Sequence, residues 1–129
     1  MRSAATSKGK AVARIVIALH AAPAASVPAQ SRSLLAYHYA QAALVSGHHI
    51  DMVFFYSAAV MHAQQPAETE TVALWQALAH EHNIPLVICN TVAETTYNMN
   101  VDELVAPFQN GGLSEFSMAA AATDHVIQF

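Results

Sequence analysis

Four short apolar runs recur along this chain, each separated from the next by enough residues for a helix, and that alternation limits the folds open to it. "ARIVIAL" (13–19), "HIDMVFFY" (49–56), "PLVIC" (85–89) and "DHVIQF" (124–129) are rich in β-branched and aromatic residues. The first is continuously apolar and not alternating, the pattern of a strand covered on both faces. Between the runs lie segments of helical period, over 31–46, 71–82 and 113–122. In the first of these Leu34, Leu35, His38, Ala42 and Val45 share one face, and Gly47 stands at the C-terminal cap position. In the second the stripe is Val72, Trp75, Leu78, Ala79 and His82, with Pro85 as the stop. "NVDELVA" (100–106) reads as a further short helix capped by Asn100, and Gly111-Gly112 open the last one. Strands alternating with helices imply right-handed βαβ units. The expectation is an α/β fold: a three-layer α/β/α single domain with a mainly parallel sheet of about five strands.

The expected organisation is a flexible N-terminal tail over 1–13 followed by one domain over 14–129. A chain of 129 residues can bury a core without disulfides or metals. Arg2, Lys8 and Lys10 precede an apolar stretch that superficially resembles a signal peptide. Arg14 interrupts that stretch and His20 follows it, so the uninterrupted core, Ile15–Leu19, is too short for one. No run reaches the length of a transmembrane helix, and a cytoplasmic location is expected. Only 11% of the residues are charged while 54% are hydrophobic, against about 25% charged in an ordinary soluble domain. With a mean hydropathy of +0.29, part of the surface is expected to be covered by partner subunits. A net charge of −4 argues against a nucleic-acid surface.

Candidate chemistry centres on Cys89, the only cysteine. It ends the third apolar run, and in open α/β sheets ligands bind at the carboxyl ends of strands. A helix beginning directly after it would present backbone N–H groups that favour a thiolate. Buried free cysteines are commonly inert, so a core thiol and a working thiol both remain open on spacing alone. His20 ends the first run on the same edge, and strand order decides whether it reaches Cys89. The eight histidines include His48-His49 and His80-Glu81-His82, but neither has the i, i+4 spacing of a helical zinc pair. Glycine-rich phosphate-binding patterns are absent. No metal or organic cofactor is expected.

"GHHIDMVFFY", "LVIC" and the closing "GLSEFSMAAAATDHVIQF", in this order and spacing, resemble the TusD subunits of the sulfurtransferase complex, within the DsrE-like superfamily. The resemblance implies a sulfur-relay sulfurtransferase that accepts sulfane sulfur as a persulfide on Cys89 and passes it to an acceptor thiol. It further implies TusB-like and TusC-like sister subunits in a heterohexamer, or a homo-oligomer when isolated. The implied donor is TusA-like and the acceptor TusE-like or DsrC-like, with tRNA wobble 2-thiouridine as the endpoint and no direct contact with nucleic acid or membrane. The chain departs from the family pattern after the cysteine: basic residues and a glycine are expected there, and "NTVAETTYNMN" stands instead, with Glu94. A subunit for sulfur oxidation, a non-catalytic scaffold and a thiol redox sensor are the alternative readings.

Overall fold

The computed structural model describes residues 11–23, 31–64 and 69–129. Five strands form one sheet in the order β4-β3-β2-β1-β5. They are β1 (Arg14–Leu19), β2 (His49–Phe55), β3 (Leu86–Cys89), β4 (Gln109–Gly111) and β5 (His125–Gln128). Every pairing is parallel. Helices α1 (Arg32–Val45), α2 (Glu70–His82), α3 (Asn90–Thr95) and α4 (Leu113–Ala122) alternate with the strands, and a 3₁₀ helix spans Ser57–Ala63. The four apolar runs are strands at nearly the expected bounds, and the three expected long helices are present.

The chain steps in one direction from β1 to β4 and then returns past β1 to place β5 on its far side. Because such crossovers are right-handed, the return carries α4 to the sheet face opposite α1 and α2. Neighbouring residues of β2 show this directly. Phe55 meets Trp75 of α2 edge-on at 5.6 Å, whereas Phe54 stacks on Phe116 of α4 at 4.9 Å. A strand sends successive side chains to opposite faces, so this one dipeptide serves both halves of the core.

Three expectations change. On α1 the buried stripe is Ser33, Ala36, Tyr37, Ala40 and Ala43, while Leu35, His38, Ala42 and Val45 are exposed. Small residues let α1 lie close to the sheet, and Ser33 gains polar partners that no outward-facing leucine could have. Residues 100–106 form turns and not a helix. The Asn100 side chain takes the Asp102 amide at 3.0 Å, and the Val105 amide bonds to the Ala63 carbonyl at 2.9 Å. Pro107 further disfavours a helical Ala106. The short helix lies earlier, at Asn90–Thr95, and Gly111 closes an extra strand, β4, before Gly112 caps α4. At the other end, Ala13 is not loose. Its amide donates to His48 Nδ1 at 3.0 Å and its carbonyl accepts from His49. Residues 1–10 of the expected tail lie outside the described residues.

Candidate active site around Cys89

The register aligns the carboxyl ends of four strands. Leu19 pairs with Phe55, Phe55 with Ile88, and Cys89 with Gly111. One residue beyond these, His20 and Tyr56 stand beside Cys89 along the same edge. Cys89 is the last residue of β3 and also the N-cap of α3. Most helices place Ser, Thr, Asp or Asn there, whose oxygen accepts from the first free amides. Here no side chain occupies that role. The sulfur therefore stands at a helix start, the local arrangement anticipated from the sequence. Cys89 is nearly closed off, with 4% exposure.

The lip beside the thiol depends on glycine. A Cβ on Gly111 would lie 2.6 Å from Val87 Cγ1, and a β-branched valine cannot swing away cheaply. Paired residues of parallel strands share a face, so Val87, Cys89 and the Gly111 position all face α4. Glu115, in the first turn of α4, closes over this corner. Its Cδ is 3.7 Å from the Gly111 Cβ position, and its Oε1 accepts from the Ser114 hydroxyl at 3.0 Å. Asn90, the residue after Cys89, approaches the adjoining Gly112 from the other side, its Oδ1 3.7 Å from that Cβ position.

His20 does not reach Cys89. Strand β2 stands between them, and at close to 4.8 Å per strand the two backbones are about 10 Å apart. Its ring lies instead against Tyr56, with centroids 4.1 Å apart. His48, His49, His80 and His82 are far from the site, at the opposite strand ends or near the end of α2. Among the described residues no group of three His, Cys, Asp or Glu side chains is placed to hold a metal ion.

One histidine is wholly buried, and periodicity did not single it out. His62, on the 3₁₀ helix, joins Ser33 of α1 and Trp75 of α2. A carbonyl can only accept, so His62 Nδ1–H donates to Ala59 O at 2.8 Å. Nε2 then accepts from the Ser33 hydroxyl at 2.6 Å, and Ser33 Oγ accepts from Trp75 Nε1 at 2.9 Å. Burial pushes the imidazole down from 6.5 to about 4, opposed by the bond to Ala59. The Ser–His spacing suits a nucleophile and base, but all three side chains are fully enclosed and every polar atom in the chain of bonds has a partner. It is a neutral tie between three helices, and it gives a substrate no way in.

The chain matches the DsrE/DsrF-like family model over residues 14–129. It is 37% identical to sulfurtransferase TusD of Proteus mirabilis, over 73% of this chain and 84% of that protein. It is 35% identical to sulfurtransferase TusD of Klebsiella pneumoniae, over 73% and 85% respectively. Among solved structures, the ychN protein from E. coli superposes with a TM-score of 0.68 at 22% identity, covering 92% of this chain and all, 100%, of that one. A Methanobacterium thermoautotrophicum protein of unknown function reaches a TM-score of 0.72 at 15% identity, over 91% of this chain and 99% of its own. The structural likenesses carry the all-parallel sheet with its layered helices, and the sequence matches carry the relationship: the chain belongs to the DsrE/DsrF-like family.

Proposed function

We propose that this protein is a sulfur-relay sulfurtransferase subunit that carries sulfane sulfur on Cys89. The single observation that carries the reading is the position of the only thiol: last residue of an interior strand, N-cap of a helix, beneath a glycine lip. The similarity to sulfurtransferase TusD supports the same chemistry. In the first step the Cys89 thiolate attacks the outer sulfur of a donor persulfide. A new S–S bond forms, the donor S–S bond breaks, and the donor leaves as a thiolate with the electron pair. In the second step an acceptor thiolate attacks the outer sulfur of Cys89–S–SH and Cys89 leaves as its thiolate. One sulfur atom moves in each step, and no external oxidant or reductant is consumed. Near-complete enclosure shelters the persulfide between transfers.

The resemblance to TusD directs the sulfur towards tRNA wobble 2-thiouridine through an acceptor protein, within an assembly of sister subunits. The face bearing α4 and β5 is the surface offered to those subunits. No residue of α4 is buried, and Leu113 and Met118 are 60% and 73% exposed. No described helix is long and apolar enough to cross a membrane.

The test is to load the protein, with its partner subunits, using a persulfide donor and to read the mass of the chain. A gain of one sulfur atom is expected in the native chain and none in Cys89→Ser, which has no other thiol to label. Failure of the native chain to load from an intact donor would put the scaffold reading ahead.

A further inference from the structure

A cavity lies on the carboxyl edge of the sheet, on the far side of β2 from Cys89. The chain leaves β1 for β2 on one side and returns to set β5 on the other, so the strand order reverses between β1 and β5. In open α/β sheets the crevice outside the strand ends at such a reversal is where ligands bind. Here it measures about 400 Å³ and is lined by His20, Ala21, Arg32, Gln128 and Phe129. Small-molecule sites span roughly 300–1,000 Å³, so this one suits a small ligand. Its floor is firm. The Phe129 amide donates to Ala18 O at 2.9 Å and the His20 amide donates to Phe129 O at 3.1 Å, which continues the parallel ladder past Gln128. Phe129 also rests on Tyr39 of α1, with ring centroids 5.6 Å apart.

Two polar groups of this cavity lack partners. His20 Nε2 is buried with no hydrogen bond, while Tyr56 holds the ring from one side at 4.1 Å. A buried nitrogen left unpaired carries a desolvation cost with nothing returned. Arg32, the first residue of α1, is exposed and has no ion pair among the described residues, whereas Arg14 is bound to Asp51 at 3.1 Å. No carboxylate side chain lines the cavity, and Ala21 and Phe129 give it apolar walls. A guanidinium fork pairs with two oxygens of an oxyanion. A carboxylate would have no further oxygen for the imidazole, and a tetrahedral head does. We infer that the cleft between β1 and β5 binds a small organic phosphate, with its head on Arg32 and His20 and its apolar body against Phe129. Arg32 takes two phosphate oxygens and His20 Nε2–H donates to a third. The site uses neither Cys89 nor its sulfur, so it stands apart from the carrier reading.

The test is to titrate phenyl phosphate, inorganic phosphate, benzoate and phenol into the full chain. Calorimetry gives affinity and nuclear magnetic resonance gives location. Phenyl phosphate should bind saturably, move the His20, Gln128 and Phe129 signals, and bind at least about fivefold more tightly than inorganic phosphate or benzoate, with phenol weaker still. Arg32→Gln should weaken it at least about tenfold, and Arg32→Lys, which keeps the charge and loses the fork, by less. His20→Phe keeps a ring against Tyr56 without the nitrogen and should weaken binding several-fold. Arg14→Gln removes an equal charge at the other end of the strands, and Cys89→Ser removes the thiol; both should bind as the native chain does. The amide spectrum of each variant verifies its fold. Absence of saturable binding at millimolar concentration, benzoate or phenol binding as tightly as phenyl phosphate, equal losses in Arg14→Gln and Arg32→Gln, or shifts centred on Cys89 and not His20 would overturn the inference.

Discussion

The two faces of the sheet are finished to different degrees. On one, α1 and α2 close completely over Phe55: Trp75 is fully buried, the inward surface of α1 is Tyr37 among small residues, and the polar atoms of Ser33, His62 and Trp75 satisfy one another. On the other, Phe54 is covered by Phe116, yet α4 buries no residue and β5 remains largely exposed. The closed face is what holds a single chain folded. The open face leaves apolar side chains such as Leu113 and Met118 uncovered in the single chain. Cys89 lies at the carboxyl edge with its side chain towards the open face.

The comparison is broken most severely through Trp75. Trp75→Ala should cost about 3–5 kcal/mol, since it removes a fully buried ring and the N–H that donates to Ser33 Oγ. Urea unfolding at fixed protein concentration measures this, and Phe116→Ala on the open face should cost clearly less. A larger loss at Phe116 would reverse the assignment of the two faces.

Acid should attack the same closed face. His62 titrates at about 4 when folded and near 6.5 when unfolded. Between those values the unfolded chain binds a proton that the native chain excludes. Stability is therefore full above about pH 6.5, falls as the pH drops, and levels off below about pH 4. The total loss is on the order of 3 kcal/mol. Thermal melts across this window should show a steeper decline in the native chain than in His62→Gln, and parallel curves would remove His62 as the cause.

Gly111→Ala comes next, at about 1–3 kcal/mol, because the added methyl meets Val87. It should also reduce persulfide loading of Cys89, through displacement of β4 from the thiol. A variant as stable and as readily loaded as the native chain would show that the lip can move freely.

The smallest effect on folding, and the sharpest on assembly, should come from Leu113→Ser with Met118→Ser. Both side chains are exposed, so folding stability of the isolated chain should change by no more than about 0.5 kcal/mol. Light scattering should nonetheless report a lower mass than for the native protein. An unchanged mass would move the shared surface away from α4, with the exposed Leu35 and Val45 of α1 as the next place to look.

Much of the scaffold is legible in the chain itself. The spans of β1, β2, β3 and β5 and of the three long helices follow from periodicity and from Pro and Gly, because they depend on residues close in sequence. Cys89 at a strand end is legible for the same reason. Strand β4 is not, since Gln109–Gly111 has no apolar pattern and exists only because β3 supplies its hydrogen bonds.

What tertiary structure alone decided are the matters of partnership. The leucine-bearing face of α1 has the stronger apolar signal, yet the face of alanines, Ser33 and Tyr37 is the one turned inward. Close packing and the Ser33–His62–Trp75 bonds outweigh side-chain hydrophobicity at that surface. His20 and Cys89 end successive apolar runs but one, and only the strand order shows that Tyr56 and β2 separate them. Glu115 is likewise distant from Cys89 in sequence until β4 and α4 fold back beside β3. Local pattern is set by the covalent chain and its nearest turns, whereas which face is buried and which groups meet is set by neighbours that the chain acquires only on folding.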